Sequence, residues 1–525
     1  MILVITDRNT IRVPKHLKSK MQKSNLFQFV CESAKQAALL STAADTLEWD
    51  ERTGMPHSAG DYRAEQVSYL RGLAHQKLTD GRYRESLQEL LEQISNETAS
   101  IPFAITISKL HRDLQRNAKL TTQLVEQMAA STVRGQQQWD AARKSNRFCD
   151  FKRILNEIIQ LKRESAELLR QGTEKNCYEA LLDEYEPNAT IEQIDQLFSA
   201  LRPPLVDLIQ RIQSASKRPD PTLFRRNLSL EKQKQLSVHV AEAIGFDFKR
   251  GRLDETSHPF CTTLGPNDCR ILTRYDQNNL GTGLFGTIHE AGHGMYEQGL
   301  PEESFGLPLG SYASLGIHES QSRMWENQVG RSAAFWRWIT PKLQDLFPKQ
   351  YANVGEQEFY FAANEVEPSL IRVEADEATY NLHIIIRYDL EKQLINGDLE
   401  VDDLPDAWNL RYEQDLGVKV QQDRDGVLQD VHWSAGLFGY FPTYTIGNLI
   451  AAQLFSKAEE SIDQIDKQFS RGNFQELLNW NRIAIHRHGQ AMNSDEIVRE
   501  ATGNELSTDF LVNYLRGKLE TLYQL

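Results

Sequence analysis

The residues of this sequence best suited to chemistry form one short run, His289-Glu290-Ala291-Gly292-His293, with two histidines four positions apart. On an α-helix, side chains at that spacing lie on one face about 6 Å apart along the axis, so both imidazoles can reach one metal ion. Glu290 would stand beside that ion, where it could take a proton from a metal-bound water. The run predicts a catalytic zinc site of the kind that hydrolyses peptide bonds. The alternative is a buried helix with two hydrogen-bonded histidines.

A catalytic zinc ion normally has three protein ligands and an open fourth position, so a third ligand must lie elsewhere in the chain. Glu319 is the candidate, because residues 314–325 are predicted to form a second helix that could present its carboxylate to the ion. Glu326, two turns further on, could orient one of the ligands by a hydrogen bond without binding the metal itself. His318 points about 100° away from Glu319 around that helix, so it either supports the site or belongs to the core.

Helices must position these residues, and the spacing of apolar side chains predicts helices through nearly the whole chain. The predicted helices include residues 25–49, 61–78, 110–171, 190–201, 282–299 and 374–394. Pro203-Pro204 is one of the pairs predicted to interrupt a helix. Because no flexible linker and no internal repeat divides the sequence, we predict a mostly α protein with one large helical domain.

One segment differs from this helical pattern. Residues 270–276 are rich in strand-forming side chains and predict a short strand beside the metal-binding helix. The edge of this strand could pair with an extended substrate. Alternatively, it is a hairpin strand that only closes the wall of a cleft.

The charge and the cysteines of the sequence exclude several classes of function. A formal net charge of −14 argues against a nucleic-acid-binding groove and against adhesion to anionic membranes, and no apolar run approaches the length of a bilayer span. The first residues carry no export signal, and the basic segment that follows is typical of a solvated tail. The five cysteines are scattered and form no C-x-x-C pair, which predicts free thiols and a cytoplasmic protein.

Several motifs, in this order along the chain, carry a resemblance to a known family. They are His258-Pro259-Phe260, Asp268-x-Arg270, His289-Glu-Ala-Gly-His293, His318-Glu-Ser-Gln321, Ile371-Arg372-x-x-Ala375-Asp376 and Gln429-Asp430-Val-His-Trp-Ser434. Together they resemble the Taq-type (thermostable carboxypeptidase 1) family of metallocarboxypeptidases. Residues 1–22 have no counterpart and are interpreted as an N-terminal extension, before a catalytic domain of residues 23–525. Leu272 stands where the D-x-R-x-T pattern of the family has a threonine.

The resemblance implies a mostly helical, saddle-like fold with a deep central groove, a homodimer, and removal of single residues from the C-termini of peptides. It also implies one divalent metal ion per chain, with zinc as the usual ion and cobalt as an alternative. In this interpretation His289, His293 and Glu319 bind the metal. Glu290 is the general base, which takes a proton from the metal-bound water and later passes it to the leaving amine.

An exopeptidase must recognise a free carboxylate, and a guanidinium group does so through paired hydrogen bonds. Arg372 and Arg270 are the candidates for substrate binding. Each could instead form an internal salt bridge, and Asp376, one helical turn from Arg372, is an available partner. His258 could line the substrate pocket or fix the turn before the proline that follows it.

The tetrahedral intermediate of hydrolysis carries an oxyanion, which a phenol or imidazolium donor can stabilise by roughly 3 kcal/mol. His432 and Tyr444 are the catalytic candidates for this role, and Tyr440 is a candidate for substrate binding. For all three the alternative is packing in the core. His383, on the predicted helix 374–394, is expected to lie in the core.

Two other functions stay open at this point. A helical zinc oligopeptidase would cleave internal bonds, and would therefore also cleave a peptide whose C-terminus is blocked as an amide. A non-catalytic peptide-binding scaffold would hold a structural metal, but such a site needs no base and generally has four protein ligands. The sequence therefore favours a metallocarboxypeptidase whose partners are peptides with a free C-terminus.

Overall fold

The structure, a computed structural model, describes residues 25–96 and 101–525, so the predicted extension, residues 1–22, lies outside the described residues. The α-helices are α1 (Asn25–Thr53), α2 (Gly60–Thr79), α3 (Gly81–Asn96), α4 (Ile101–Lys119), α5 (Thr122–Ser145), α6 (Cys149–Arg170), α7 (Cys177–Leu182), α8 (Ile191–Ser214), α9 (Leu230–Ile244), α10 (Leu280–Glu297), α11 (Leu315–Arg323), α12 (Ala333–Leu346), α13 (Pro348–Tyr351), α14 (Glu356–Ala363), α15 (Tyr380–Asn396), α16 (Leu404–Leu416), α17 (Pro442–Ser461), α18 (Ile465–Phe469), α19 (Gln475–Ala484), α20 (Ser494–Thr502) and α21 (Asp509–Tyr523). The strands are β1 (Gly251–Glu255), β2 (Phe260–Gly265) and β3 (Asp268–Thr273), and a π-helix (Met324–Val329) follows α11.

Helices dominate the described chain, and its strands form one small sheet that packs on α10. This confirms the prediction of a mostly α fold with a small β element beside the metal-binding helix. Over residues 25–96 and 101–525, no helix combines the length and the apolar character needed to cross a bilayer.

The chain divides into two compact units. The smaller unit comprises the described residues up to Asn117 together with Pro301–Ser311, and its core is built around Val30, Leu87 and Ile107. The larger unit comprises Ala118–Leu300 and Tyr312–Leu525 and contains every residue singled out above for chemistry. The domain boundary placed at residue 22 stays a prediction.

The sheet has the strand order β1-β3-β2, with β1 parallel and β2 antiparallel to β3. The predicted strand, residues 270–276, therefore corresponds to the central strand β3, and both of its edges are already hydrogen-bonded. The expectation that a substrate pairs with the edge of this strand is wrong. The hairpin alternative agrees with the antiparallel pairing of β2 with β3.

Helix α8 runs through Pro203-Pro204, so the predicted interruption there is wrong. A proline inside a helix removes a hydrogen bond and leaves a carbonyl four residues earlier without its partner. Those carbonyls belong to Ser199 and Ala200, which are exposed and can be hydrated. The apolar face of α8 continues into the core on both sides of the prolines.

The metal-binding helix α10 begins at Leu280, where the side chain of Asn279 accepts a hydrogen bond from the backbone N–H of Gly281. Halfway along α10, Gly292 lets the backbone of α11 approach closely. A Cβ atom at this position would stand 2.6 Å from the Cα of Ser322. This contact sets α10 against α11, so a side chain from each helix can reach the same point.

Helix α11 is capped by Ser314, whose hydroxyl accepts a hydrogen bond from the N–H of Ile317. It continues directly into the π-helix, a wider turn that is frequent at functional sites. The hydroxyl of Tyr514, on α21, donates a 3.0 Å hydrogen bond to the carbonyl of Asn327 in this turn. The last helix of the larger unit therefore supports the segment that follows the metal-binding region.

Candidate metal centre

Helices α10 and α11 bring together the three predicted metal ligands. The Nε2 atoms of His289 and His293 lie 3.7 Å and 3.5 Å from Oε2 of Glu319, and the ligand atoms of all three residues lie within 4.8 Å of one another. A tetrahedral ion with bonds of about 2.1 Å has ligand atoms about 3.4 Å apart, close to both distances. Two imidazoles and one carboxylate are also the donors of a catalytic zinc site, so these residues fit such an ion.

The far side of each imidazole is held by a hydrogen bond. His289 Nδ1 lies 2.9 Å from Oε2 of Glu326, and Nδ1 of His293 lies 3.0 Å from the carbonyl oxygen of His318. A carboxylate and a carbonyl can only accept, so each Nδ1 donates and each Nε2 keeps its lone pair for a metal. Glu326 thus occupies the supporting position suggested by the sequence.

Buried charges surround the ligands. Burial would raise the pKa of Glu319, but Arg323 and the two histidines hold it well below its ordinary range. The same balance, with Arg323 and His289 as the main partners, lowers the pKa of Glu326. Burial lowers the pKa of His293 to about 3, so this imidazole is neutral near pH 7. The carboxylates and His293 therefore have the ionisation states that metal binding requires. At His289 burial lowers the pKa, but Glu319 and Glu326 outweigh burial and raise it, so a metal ion would compete with a proton for this imidazole.

Glu290 lies one residue from His289 on α10, and its side chain is buried. Burial raises its pKa to about 7; the nearby carboxylates Glu319 and Glu326 raise it and His289 lowers it. A carboxyl group with a pKa near neutrality accepts and releases protons efficiently near pH 7.

His318 contacts the site directly. Its ring stacks on that of His293 with 4.4 Å between the centroids, and its Nε2 lies 3.0 Å from Oε1 of Glu297. Since its backbone carbonyl also holds His293 Nδ1, His318 supports a predicted ligand instead of filling the core alone.

Arg372 is buried and bonded to an aspartate, but not to the one expected from the sequence. Its Nε donates a 2.9 Å hydrogen bond to Asp430, and its Nη1 donates to the hydroxyl of Tyr380. Asp376 instead accepts hydrogen bonds from the N–H groups of Ala378 and Thr379. Helix α15 therefore begins at Tyr380 and not near residue 374, so Arg372 and Asp376 do not face each other on one helix.

Asp430 is shared by a second buried cation. Arg387 Nε donates a 2.6 Å hydrogen bond to Oδ2 of Asp430, while Arg372 binds Oδ1. The other candidate anchor, Arg270, lies on β3 and forms two 2.9 Å hydrogen bonds with Asp268. Both candidate arginines thus form internal salt bridges, as the alternative proposed. Arg372 shares the carboxylate of Asp430 with Arg387, whereas Arg270 pairs with the carboxylate of Asp268.

His432, Tyr440 and Tyr444 lie together beside this arginine pair. His432 Nε2 is 3.2 Å from the hydroxyl of Tyr444, and the rings of the two tyrosines are 5.4 Å apart. Burial raises the pKa of both tyrosines, and the charge of Glu319 raises it further. Gly447, one helical turn after Tyr444 on α17, packs against Glu319. Burial and the charge of Arg372 lower the pKa of His432 to about 3. An imidazole with this pKa is neutral near pH 7, so His432 can donate a hydrogen bond through one ring N–H only; its catalytic role stays a prediction.

The two other histidines considered in the sequence analysis, His258 and His383, have different surroundings. His258 is exposed in the connection between β1 and β2, and its charge contributes to lowering the pKa of His432. His383 is fully buried, and its Nδ1 lies 2.9 Å from the hydroxyl of Tyr412, as expected for a core residue.

Sequence reasoning gave no role to Arg323, Asp430 or Arg387. Arg323 follows Glu319 by four residues, a spacing that predicts an ion pair on a helix and could have identified it. Asp430 lies in a motif noted above, but its partners are 58 and 43 residues away, and no local pattern connects them.

Glycine 447 packs against the stem of Glu319. A Cβ atom at this position of α17 would stand 2.6 Å from Cγ of Glu319. We expect Gly447→Ala to displace this carboxylate, to weaken zinc binding by about 10- to 100-fold and to cost about 1–3 kcal/mol of stability. Competition with a chromophoric chelator and urea unfolding measure the two effects. Gly517→Ala on α21, where a Cβ meets nothing within 4 Å, is the control, and zinc binding of Gly447→Ala equal to the wild type would contradict the expectation.

Comparison with known proteins agrees with this geometry. Residues 29–519 match the model of the family described as carboxypeptidase Taq (M32) metallopeptidase. Thermostable carboxypeptidase 1 of Thermus thermophilus is 40% identical over 506 residues, which cover 95% of this chain and 98% of the relative. Carboxypeptidase 1 of Bacillus subtilis is 37% identical over 491 residues, which cover 94% and 97%. The crystal structure of an M32 carboxypeptidase from Deinococcus radiodurans R1 is similar with a TM-score of 0.92 at 37% identity, covering 96% of this chain and all of that one.

The similarity in sequence and the similarity in fold each extend over nearly the whole chain. The chain is therefore a peptide hydrolase and belongs to the carboxypeptidase Taq (M32) family of metallopeptidases.

Proposed function

We propose that His289, His293 and Glu319 hold one divalent ion, zinc or alternatively cobalt, and that the protein uses it to release single amino acids from the C-termini of peptides. The observation that carries this proposal is the approach of three metal-binding atoms to within 4.8 Å of one another, with Glu290 on the same helix as two of them. When bound, such an ion supplies Lewis-acid chemistry, which polarises a carbonyl and makes a water acidic enough to react near neutral pH.

The side chains of the protein then have separate tasks. Glu290 accepts a proton from the attacking water at its carboxylate and passes the proton to the amine that leaves. Tyr444 donates its phenol hydrogen to the developing oxyanion, and Nε2–H of His432 donates to the oxygen of the same hydroxyl and orients it. Because His432 is neutral, the phenol is the stronger candidate for the donor.

The terminal carboxylate of the substrate requires a positive charge that is not already neutralised. Arg372, Arg387 and Asp430 form a buried group of two cations and one anion, which leaves one positive charge over. Arg270 and Asp268 form a neutral pair by the same count. Arg372 is therefore proposed as the main anchor, with Arg270, His258 and Tyr440 lining the rest of the binding site.

The family resemblance extends the proposal to a homodimer, and the cysteine pattern extends it to a protein that acts in the cytoplasm. All five cysteines carry free thiols, which is compatible with a reducing compartment. Size measurement of the native protein by light scattering tests the dimer.

Removal of the metal gives the direct test of the function. The purified protein is incubated with a short free-acid peptide and with its C-terminal amide, before and after chelation and after zinc or cobalt is restored, and products are followed by mass spectrometry. We expect stepwise loss of single residues from the acid only, abolished by the chelator and recovered with metal. Internal cleavage of both peptides would favour an oligopeptidase, and absence of cleavage with every metal would favour a peptide-binding scaffold.

A further inference from the structure

The two carboxylate oxygens of Glu319 have different partners. Oε2 faces the Nε2 atoms of His289 and His293, whereas Oε1 accepts a 2.7 Å hydrogen bond from Nε of Arg323. The hydroxyl of Ser322 lies 3.2 Å from Oε2, but its shorter contact, 2.7 Å, is with the backbone carbonyl of Glu319. Only one oxygen of this ligand is therefore directed at the histidines.

Arg323 also reaches the residue that holds another ligand. Its Nη1 lies 3.2 Å from Oε2 of Glu326, the same oxygen that accepts the hydrogen bond from Nδ1 of His289. One guanidinium group thus contacts Glu319 directly and His289 through Glu326. Arg331 donates to the other oxygen of Glu326 at 3.2 Å but does not replace the contact with Glu319.

The position of Arg323 is itself fixed. Its side chain is 14% exposed, and its guanidinium lies 4.3 Å from the centre of the Tyr380 ring. On the opposite side of Glu319, Gly447 packs against the stem of the ligand. With the stem held by one helix and one oxygen held by Arg323, the carboxylate has little freedom to rotate.

We propose that Arg323 is a positioning residue that restricts Glu319 to a single metal-binding oxygen. This inference rests on the metal site of the proposed function. A carboxylate free to bind through both oxygens would occupy more of the space around the ion, including the position that a catalytic site leaves open for water and substrate. The guanidinium prevents this because Oε1 is already engaged in a charge-assisted hydrogen bond.

Two variants separate this role from a simple contribution to stability. Arg323→Gln removes the positive charge and the simultaneous contact with Glu319 and Glu326. Arg323→Lys keeps the charge, but a lysine has no planar guanidinium that can contact both carboxylates at once. Arg337→Gln is the control, since this arginine is 56% exposed and pairs with Glu356 on α14. Each protein is stripped of metal, loaded with cobalt(II), and measured for its visible absorption, its thermal unfolding, and kcat and KM on a free-acid peptide.

We expect Arg323→Gln to lower kcat by about 10- to 100-fold with a much smaller change in KM. Its cobalt absorption should weaken, because the absorption of this ion falls as its coordination number rises. Arg323→Lys should recover part of the lost kcat and part of the lost cobalt absorption, and Arg337→Gln should match the wild type.

Each outcome decides between the inference and the function on which it rests. A wild-type protein that neither binds cobalt nor cleaves the peptide overturns both. A wild type that does both, with Arg323→Gln unchanged in absorption and in kcat, overturns the inference alone. If Arg323→Gln unfolds at a much lower temperature, Arg323→Lys decides: an unaltered cobalt spectrum in that variant refutes the positioning role, and a weakened one supports it.

Discussion

Replacing Glu290 by glutamine is expected to remove nearly all peptide hydrolysis while metal binding remains. Glutamine has almost the same shape as glutamate but cannot accept the proton of the attacking water, so we expect kcat to fall by about 10²- to 10⁴-fold. Metal binding should persist, because the three ligand atoms belong to His289, His293 and Glu319. Kinetics on a free-acid peptide and zinc content of the purified variant measure the two quantities.

A matched control is Glu460→Gln, a change at a carboxylate that is 64% exposed on α17. This variant should keep the activity of the wild type. Retention of full activity in Glu290→Gln with bound zinc would remove the proposed general base. Loss of both zinc and activity would show instead that Glu290 is needed to build the site.

Replacing Asp430 by asparagine is expected to destabilise the folded protein by about 3–5 kcal/mol. Asp430 is the carboxylate between Arg372 and Arg387, and Arg387 is fully buried. Without its anion, each guanidinium would remain as a buried charge with poor compensation, and this is far more costly than the loss of an exposed ion pair. The free energy of unfolding in urea measures the change.

Asp389→Asn provides the comparison for this prediction. Asp389 also lies between two arginines, Arg202 and Arg411, but the side chains of these three residues are 22–26% exposed. Water and Asp415, whose carboxylate lies 3.5 Å from both arginines, can therefore replace part of the lost interaction, and we expect a smaller destabilisation, nearer to about 1 kcal/mol. Equal effects at the two positions would show that neither burial nor the lack of a second carboxylate determines the energetics of the Asp430 group.

The same carboxylate makes stability depend on pH. Burial would raise the pKa of Asp430, but Arg387 and Arg372 hold it well below its ordinary range. A depressed pKa means that the folded state favours the charged form, so the stabilisation is complete above about pH 4 and is lost as the pH falls below that value. In Asp430→Asn, the free energy of unfolding should lack this part of its decrease at low pH.

Local patterns were sufficient to predict most helices and to select three residues that the structure brings together as candidate metal ligands. His289 and His293 are one helical turn apart, and Glu319 follows on the next helix, so their positions depend mainly on helix geometry. The family resemblance added the candidates that lie far apart in sequence.

What the sequence did not predict depends on contacts between distant segments. The partner of Arg372 is Asp430 and not the nearer Asp376, because the N–H groups that precede α15 engage Asp376 locally. The central place of β3 depends on β1, whose polar sequence gives little strand signal. Helix α8 continues through its prolines at a point where the residues four positions earlier are exposed, and this exposure cannot be read from a proline pair.

The hydrogen bond from Tyr514 to the π-helix has a consequence for the biosynthesis of the enzyme. Tyr514 follows Asn327 by 187 residues, so a ribosome that adds 5–20 residues per second makes it about 10–40 s later. During that interval both histidines and Glu319 have been made, but the turn after them lacks its support from α21. A nascent chain therefore contains both histidines and Glu319 before it contains the helix that donates a hydrogen bond to the turn after them.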